Sequence, residues 1–380
     1  MRSTATRQIA AGLSTLADAE DAARDAARHA GIAGPVDLAF LFVTPEHAAD
    51  LEAAAEALAT ELEPAHLLAC AAQGVVAGGR ELEDGPAAAV WAASLPGATV
   101  STFRASAADV ADGVLPALDG AQLLILLVDP YTFPGEEYLD LLAAERPGLP
   151  VVGGIAVAGP RGAQVLVCDG EAQREGAVGV AVAGVPAVAA VSQGCAPLGP
   201  ELVVTDADGN IVRELAGAPA LQALRRAVAA ASPEERQLAA GGVLLGLVID
   251  ENRPEYGPDD YLMRGVIGAD GASGALAIGA RARVGQTVRF HVRDAATADA
   301  DLRRALERVL ERGTPTGALL FTCNGRGTSM FSEPDHDARL VEAALGPGVA
   351  GFFCGGEIGP VGDRSFLHGF TATLAVFLQG

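Results

Sequence analysis

Residues 121–130 read AQLLILLVDP, an apolar run of leucine, isoleucine and valine that ends in aspartate and proline. A run of this length between turn residues is typical of a strand that is buried on both faces of a sheet. The next apolar run, LPVVGGIAVAG at 149–159, follows an acidic stretch of helical pattern near Gly135 to Glu145. The order strand, helix, strand predicts a parallel pair of strands covered by the intervening helix.

The same order of segments occurs three times along the chain. The first copy contains DLAFLFVT at 37–44 and HLLACAAQGVVAGG at 66–79, and the third contains GALLFTCNGRG at 317–327 and VAGFFCGGEIGP at 349–360. Each copy continues into alternating apolar segments, which are typical of antiparallel strands. The sequence therefore predicts an α/β (mixed α+β) fold in which repeated β-α-β-β units form mixed sheets covered by helices.

The segment between the second and third copies has a different pattern. LVVTDADGNIVREL contains an Asp-Gly turn signal between alternating strands. It is followed by a helical stretch from Ala220 to Ala231, further strands, and an amphipathic helix from Ala298 to Arg312. We therefore expect two packed domains, residues 34–215 and residues 216–380.

The charge balance limits the partners of the protein. The 380 residues include 26 basic and 48 acidic side chains, which gives a net charge of −22. A negative field of this size repels phosphate backbones and anionic lipid headgroups, so we expect neither nucleic acid nor membrane as a partner. All basic residues are arginine, which excludes a Schiff-base lysine and a P-loop lysine.

The cysteines and the N-terminal segment indicate a cytoplasmic protein. The five cysteines are widely spaced and form no CxxC pair, so neither a disulfide framework nor a cysteine metal site is expected. The first 31 residues have an alanine-rich helical pattern without the apolar centre of a signal peptide. The longest uncharged stretch, Gly176 to Pro200, contains Pro186 and predicts paired buried strands instead of a membrane helix.

The strongest candidate site lies at the C-terminal ends of the strands in the third copy. The strand GALLFTC runs directly into NGRG, and its partner ends in FCGGE. Parallel neighbours end at the same edge of a sheet, where ligands bind in open α/β sheets, and an arginine there offers a planar fork for a carboxylate or phosphate. The predicted ligand-binding residues at these ends are Cys323, Asn324, Gly325, Arg326, Gly327, Cys354, Gly355, Gly356 and Glu357.

Two further residues are included in the predicted site, and each has a structural alternative. Arg264 follows a polar strand end and is expected to point into the same pocket, although an arginine on a solvent-facing strand is the default interpretation. His368 lies in an alternating apolar segment, where a histidine of the core is the alternative. For the whole cluster, the alternative is that the glycines only allow tight turns and that Arg326 pairs with Glu357 at the rim.

Other polar segments are interpreted as structural. Residues 80–83, RELE, are typical of a charged hairpin rim, and EPDHD at 333–337 is typical of an acidic helix N-terminus, so no metal site is expected. Cys323 lies at a strand end where neighbouring donors favour a thiolate, but the sequence places no base beside it. We expect no catalytic residue and no enzymatic activity, with a cysteine-dependent enzyme as the last alternative.

The motifs resemble those of the FIST (F-box and intracellular signal transduction) family over nearly the whole chain. The resemblance rests on LLACAAQGVVAGGRELEDGPAAAVWAASLPG and PVVGGIAVAG in the N-terminal half. It rests on FTCNGRG, GFFCGGEIGPVG and FLHGFTATLAVF in the C-terminal half. Ala71 and Ala72 stand where the family often has serine or threonine, which argues against polar ligation at that turn.

The resemblance implies an intracellular sensory protein that binds a small ligand, such as an amino acid, and signals through a separate protein. The resemblance also implies that some relatives sense nitric oxide through haem. No histidine here has a spacing that marks an axial ligand, so we expect no cofactor and keep haem as an alternative. A protein-interaction scaffold without a ligand is the other alternative.

Overall fold

The structure is a computed structural model, and it describes residues 6–159 and 164–379. The chain divides into two compact units, each formed from several segments. The first comprises Met1–Ser192, Leu302–Leu367 and Thr371–Gly380, and the second comprises Gln193–Asp301 and His368–Phe370. The expected division of the sequence after residue 215 remains a prediction.

In the described residues, the first unit contains three repeats of one order of elements, and the first repeat begins at Gln8. Its first helix starts after Asp18, whose side chain accepts the N–H of Asp21, and it stops at Gly31 in the left-handed conformation. The elements are β1 (Gln8–Ser14), α1 (Ala19–Ala30), β2 (Leu38–Val43), α2 (Leu51–Leu62), β3 (Leu67–Ala71), β4 (Val75–Ala77), β5 (Arg80–Leu82) and β6 (Ala88–Ser94).

The second repeat has the same order of elements and includes the apolar run LLILLV as a fully buried strand. Its short first helix begins with a capping box between Ser106 and Asp109. The elements are β7 (Thr99–Ala105), α3 (Ala107–Ala111), β8 (Leu123–Val128), α4 (Gly135–Glu145), β9 (Val151–Ile155), β10 (Leu166–Cys168), β11 (Glu171–Gln173) and β12 (Ala177–Ala183).

The third repeat opens with β13 (Ala187–Gln193) and is then interrupted by the main segment of the second compact unit. The inserted elements are β14 (Cys195–Asp208), β15 (Ile211–Leu215), β16 (Ala218–Pro219), α5 (Ala220–Ala230), α6 (Pro233–Ala240), β17 (Val243–Val248), β18 (Tyr261–Ala269), β19 (Leu276–Ile278) and β20 (Thr287–Arg293). The repeat then continues with α7 (Ala295–Leu310), β21 (Pro315–Cys323), α8 (His336–Leu345), β22 (Val349–Cys354), β23 (Glu357–Val361), β24 (Arg364–His368) and β25 (Thr371–Leu378).

Each repeat has a parallel pair of strands at the centre of its sheet. Each also contributes a hairpin to the sheet of another repeat. The parallel pairs are β2 with β3, β8 with β9, and β21 with β22. The hairpin β4–β5 of the first repeat extends the sheet of the third, β10–β11 extends that of the first, and β23–β24 extends that of the second. The predicted mixed α/β fold is confirmed, and the three repeats are linked in a closed cycle of exchanged hairpins.

Glycines permit the close packing of the parallel strands in two repeats. A Cβ atom on Gly153 would lie 1.9 Å from the carbonyl oxygen of Leu126, and one on Gly351 would lie 1.7 Å from that of Leu320. Real Cβ atoms do not approach backbone oxygens so closely, so only glycine fits at either position. The glycines of VVGGI and VAGFF are therefore needed inside the strands.

The core of the first unit joins all three repeats. Phe42 of the first repeat packs against Phe352 of the third with ring centroids 5.2 Å apart, and Trp91 packs against Phe377 at 5.3 Å. Leu127 of the second repeat belongs to the same buried cluster. Aromatic pairs at these distances add stability beyond the burial of their area, so this cluster ties the repeats together.

The second unit is a closed antiparallel ring of strands. Around the ring the strands follow the order β14, β20, β17, β18, β19 and β15. Strand β15 pairs with β14 and so closes the ring. The predicted Asp-Gly hairpin is the β14–β15 turn at Asp208 and Gly209. Buried side chains such as Leu245, Val288 and Phe290 form the core of this unit.

Three sequence-based expectations need correction. The first 31 residues contain strand β1 before helix α1, because an alanine-rich strand gives no clear alternation. HLLACAAQGVVAGG forms β3 and β4, which belong to different sheets, and the strands β12 and β13 in 176–200 do not pair with each other. None of the helices in residues 6–159 and 164–379 is long and apolar enough to cross a membrane.

Candidate functional site

Arg326 is drawn into the protein directly after strand β21. Cys323 ends this strand in register with Cys354 of β22, and the N–H of Arg326 donates to the carbonyl of Cys323 at 2.8 Å. The side chain of Arg326 is completely buried. The NGRG turn therefore directs its arginine inward, and this position removes the guanidinium from bulk water.

Asp337 in the first turn of α8 holds the guanidinium of Arg326 in two places. Nε lies 2.6 Å from Oδ2, and Nη2 lies 2.9 Å from Oδ1. Thr322 donates its hydroxyl to Oδ2 at 3.1 Å, and Nδ1 of His336 lies 3.0 Å from Oδ1. Burial acts to raise the pKa of Asp337, but the charge of Arg326 and the bonds from His336 and Arg326 outweigh burial and lower it.

Aromatic packing also holds the guanidinium of Arg326 in place. The guanidinium carbon of Arg326 lies 5.4 Å from the ring centroid of Phe331. The ring of Phe331 in turn stacks on His336, with centroids 3.6 Å apart and planes within 10°. A cation over an aromatic face is stabilised by the ring quadrupole, so Arg326 is held rigidly in one orientation.

Glu357 at the start of β23 is the second buried charged group at these strand ends. Its Oε2 accepts hydrogen bonds from the backbone N–H of Thr371 at 3.0 Å and from the Thr371 hydroxyl at 2.9 Å. Burial raises the pKa of Glu357 to about 8, against the opposing effects of Thr371, of the charge of Arg326 and of a side-chain hydrogen bond with Cys323. The carboxyl is therefore mostly protonated at pH 7.

Arg326 and Glu357 each keep one polar atom without a partner. Among the described residues, neither Nη1 of Arg326 nor Oε1 of Glu357 has a hydrogen-bond partner, and both atoms are buried. An unsatisfied buried polar group costs about 1–3 kcal/mol, and native structures leave few of them. The charge of each of these two side chains also influences the pKa of the other.

The predicted hairpin of residues 80–83 is present as β4–β5, and its half-buried Glu81 reaches this cluster. This side chain accepts the N–H of Ala338 at 2.9 Å, and burial followed by the charge of Asp337 raises its pKa to about 7. Glu83 accepts the N–H of Thr328 at 2.8 Å. Sequence reasoning also missed Asp337 and Thr371, and the only available signal was the acidic start of α8.

The other predicted residues of the first unit lie at the two strand ends with different exposures. Asn324 donates to the side chain of Gln73 at 2.6 Å, and the N–H of Gly325 points at the sulfur of Cys323 at 3.3 Å. Gly327 has a φ of 59°, and a Cβ there would meet the carboxylate of Glu83 at 2.6 Å. Cys354 and Gly356 are buried, whereas Gly355 is exposed.

Arg264 and His368 belong to the second compact unit, whereas Arg326 and Glu357 belong to the first. Arg264 lies on β18, is 8% exposed, and donates to the carbonyl of Met263 at 3.1 Å. It is therefore not a solvent-facing arginine. His368 ends β24 and is also buried. The membership of these two residues in the ligand site remains a prediction.

Burial disfavours the reactive thiolate form of at least two of the cysteines. All five lie in the described residues, are buried and form no disulfide. Burial raises the pKa of Cys70 and Cys354 far above the ordinary value for a thiol. Within residues 6–159 and 164–379, no group of three or more His, Cys, Asp or Glu side chains is arranged to hold a metal ion.

Three histidines with buried or stacked rings do not fit the role of a haem axial ligand. The Nε2 atom of His47 lies 3.1 Å from the carbonyl of Leu16. The ring of His291 packs tightly on Gly246, and His336 is stacked and bonded as described above.

Two family models match consecutive parts of the chain. The FIST N domain matches residues 37–218, and the FIST C domain matches residues 220–360. An uncharacterized protein of Mycobacterium tuberculosis is 45% identical over 387 residues, which cover 98% of this chain and 100% of the relative. An uncharacterized protein of Mycobacterium bovis is 42% identical over 384 residues, covering 98% of this chain and 99% of the relative. The chain therefore belongs to the FIST family, whose domains are associated with sensing and signal transduction.

Proposed function

We propose that the protein is a cytoplasmic sensor that binds a small anionic metabolite, such as an amino acid, at Arg326 and Glu357. The signal then passes to a separate signalling protein. The proposal concerns binding and includes no catalytic step. Its main support is the pair of buried, unpartnered atoms on these two side chains.

Both side chains can donate a hydrogen bond to an anion at neutral pH. Nη1 of Arg326 carries N–H groups that no described residue accepts. Glu357 is protonated below its pKa of about 8 and can then donate an O–H from Oε1. A ligand carboxylate would satisfy both donors and remove the cost of leaving them unpaired.

The ion pair with Asp337 prepares Arg326 to bind a carboxylate. Asp337 and Phe331 fix the guanidinium before any ligand arrives, so binding loses little side-chain entropy. Asp337 uses Nε and Nη2, which leaves Nη1 as the free edge of the fork. An arginine satisfied on one side and open on the other is suited to bind one carboxylate oxygen.

The test is a ligand-induced shift of the melting temperature, measured with acetate, succinate and L-glutamate at pH 7. The variant is the double substitution Arg326→Met and Asp337→Asn, which removes the pair without leaving a buried charge alone. We expect at least one carboxylate to stabilise the unchanged protein and not the double variant.

The matched control removes an exposed pair of the same type. Arg213 and Asp208 lie 3.0 Å apart in the second unit, with side chains 48% and 74% exposed. The double substitution Arg213→Met and Asp208→Asn should keep the ligand response. If no carboxylate changes the melting temperature, or if the Arg326 and Asp337 variant responds like the unchanged protein, the proposal is wrong.

A further inference from the structure

The second repeat contains an apolar cavity at the C-terminal ends of its parallel strands. Val128 ends β8, Ile155 ends β9, and both line a cavity of about 160 Å³. The start of helix α4 at Gly135 borders it on one side. The cavity therefore occupies the crevice beyond the strand ends, where ligands bind in α/β sheets.

Helix α4, the segment before it and a donated hairpin complete the walls of the cavity. Phe133 and Leu139 come from the segment leading into α4 and from α4 itself, and they are 6% and 3% exposed. Ile358 on β23 and Leu367 on β24 come from the hairpin donated by the third repeat. These walls are aromatic and aliphatic, and Glu136 and Glu137 are the only charged lining residues that the structure describes there.

The corresponding crevice of the third repeat is lined by charged side chains. There, Arg326 follows β21, Asp337 starts helix α8, and Glu81 comes from the hairpin donated by the first repeat. In the second repeat, Leu367 lies on the donated hairpin strand that corresponds to the strand of Glu81. The two crevices share one architecture, but one is lined by charged side chains, and the other is mainly apolar.

We propose that the cavity of the second repeat binds a small uncharged apolar molecule of about one aromatic ring, separately from the anion site. Protein interiors contain few voids larger than a water molecule. An apolar cavity of about 150 Å³ lined by Leu, Ile and Phe holds a benzene molecule, because it gives water too few hydrogen-bond partners. The volume here is similar and the apolar part of the lining is of the same kind, although this cavity opens to solvent beside the exposed Glu136 and Glu137.

The test is a titration of the full-length protein with fluorobenzene, followed by ¹⁹F NMR. The variant Gly135→Val fills the cavity from its border: a Cβ at Gly135 would lie 4.0 Å from Cγ1 of Val128, an ordinary contact. We expect saturable binding to the unchanged protein and at least tenfold weaker binding to Gly135→Val. Xenon-pressurised crystals of the unchanged protein should show a xenon peak beside Phe133 and Leu139.

The matched control is Gly271→Val in a turn of the second unit, where a Cβ would meet nothing within 4 Å. This variant should bind fluorobenzene like the unchanged protein. Fluorobenzene binding that does not saturate, equal binding by Gly135→Val, or the absence of a xenon peak in the cavity would each overturn the proposal. If Gly135→Val does not fold, the xenon experiment alone decides. Neither result depends on carboxylate binding at Arg326.

Discussion

Glu357 couples the stability of the fold to pH. Its carboxyl is buried, and its pKa is raised from 4.5 to about 8. Between these values the folded state holds a proton that the unfolded state has lost, so stability is greatest at low pH and falls as pH rises. We expect Glu357→Gln to remove part of this decrease, by at least about 1.4 kcal/mol between pH 5 and 9, the equivalent of one pKa unit.

Urea unfolding of both proteins at several pH values measures this difference. Glu81, whose pKa is raised to about 7, contributes a dependence of the same sign in both proteins. The comparison therefore isolates Glu357. Parallel pH profiles for the two proteins would show that Glu357 is ionised in the fold at neutral pH.

The same proton should control the affinity for an anion. Above pH 8 the ionised Glu357 carboxylate repels a bound carboxylate and can no longer donate a hydrogen bond. We expect affinity in calorimetric titrations to fall at least tenfold from pH 7 to pH 9 in the unchanged protein. In Glu357→Gln the neutral amide still donates, so the affinity should stay within about threefold across this range. A steep loss in both proteins would place the titrating group elsewhere.

Arg326 and Asp337 should depend on each other for stability. Arg326→Met alone leaves the Asp337 carboxylate buried without its cation, and breaking a buried pair in this way costs about 3–5 kcal/mol. The double variant with Asp337→Asn should recover most of this loss, because no uncompensated charge remains. Denaturant midpoints of the single and double variants give the coupling energy directly. Additive effects would mean that the pair contributes little.

The spacing of β21 and β22 depends on the absence of a side chain at Gly351. Since a Cβ there would overlap the carbonyl of Leu320, the parallel strands must separate to admit even a methyl group. We expect Gly351→Ala to lower the free energy of unfolding by about 1–3 kcal/mol. Gly271→Ala, in an open turn, is the matched control and should change stability by less than about 0.5 kcal/mol. Chemical denaturation compares the two, and equal stability would contradict the close packing of these strands.

The sequence predicted the repeated elements because each parallel pair is a long apolar run with a helix between its strands. The exchange of hairpins was not predictable. Strands such as β4 and β10 have three residues each, and they pair with strands far away in the sequence. Segments this short have no sequence pattern that identifies the strand with which they pair. Strand β1 was missed for a related reason, since alanine is common in both helices and buried strands.

The candidate site was predictable only in part. Glycine-rich strand ends pointed to Arg326 and Glu357, because such ends let a ligand approach the backbone. Asp337 and Glu81 looked like surface charges, since acidic residues are usual in a first helical turn and in a hairpin. Asp337 is buried and Glu81 is half-buried because the exchanged hairpin β4–β5 packs beside α8, which depends on the long-range pairing of the sheets.

The cycle of exchanged hairpins makes each repeat of the first unit incomplete without the others. Every six-stranded sheet takes two of its strands from another repeat. The shared cluster around Phe42, Trp91 and Phe352 adds side-chain contacts to this backbone exchange. A repeat that unfolds therefore uncovers a sheet edge in its neighbour, and unpaired sheet edges are unfavourable. The first unit should unfold as one cooperative body, and the anion site and the apolar cavity share that body.

The net charge of −22 should act against the approach of an anionic ligand. Salt screens this long-range repulsion, since the Debye length falls from about 30 Å at 0.01 M to about 8 Å at 0.15 M. We therefore expect the association rate constant for a carboxylate ligand to rise severalfold over this range in stopped-flow measurements. The dissociation rate constant should change less, because the contacts at Arg326 and Glu357 are buried. Sucrose at matched osmolality is the control and should not raise the rate. An association rate that falls with added salt would instead show that the local field around the site attracts the carboxylate, and it would contradict control of the encounter by the net charge.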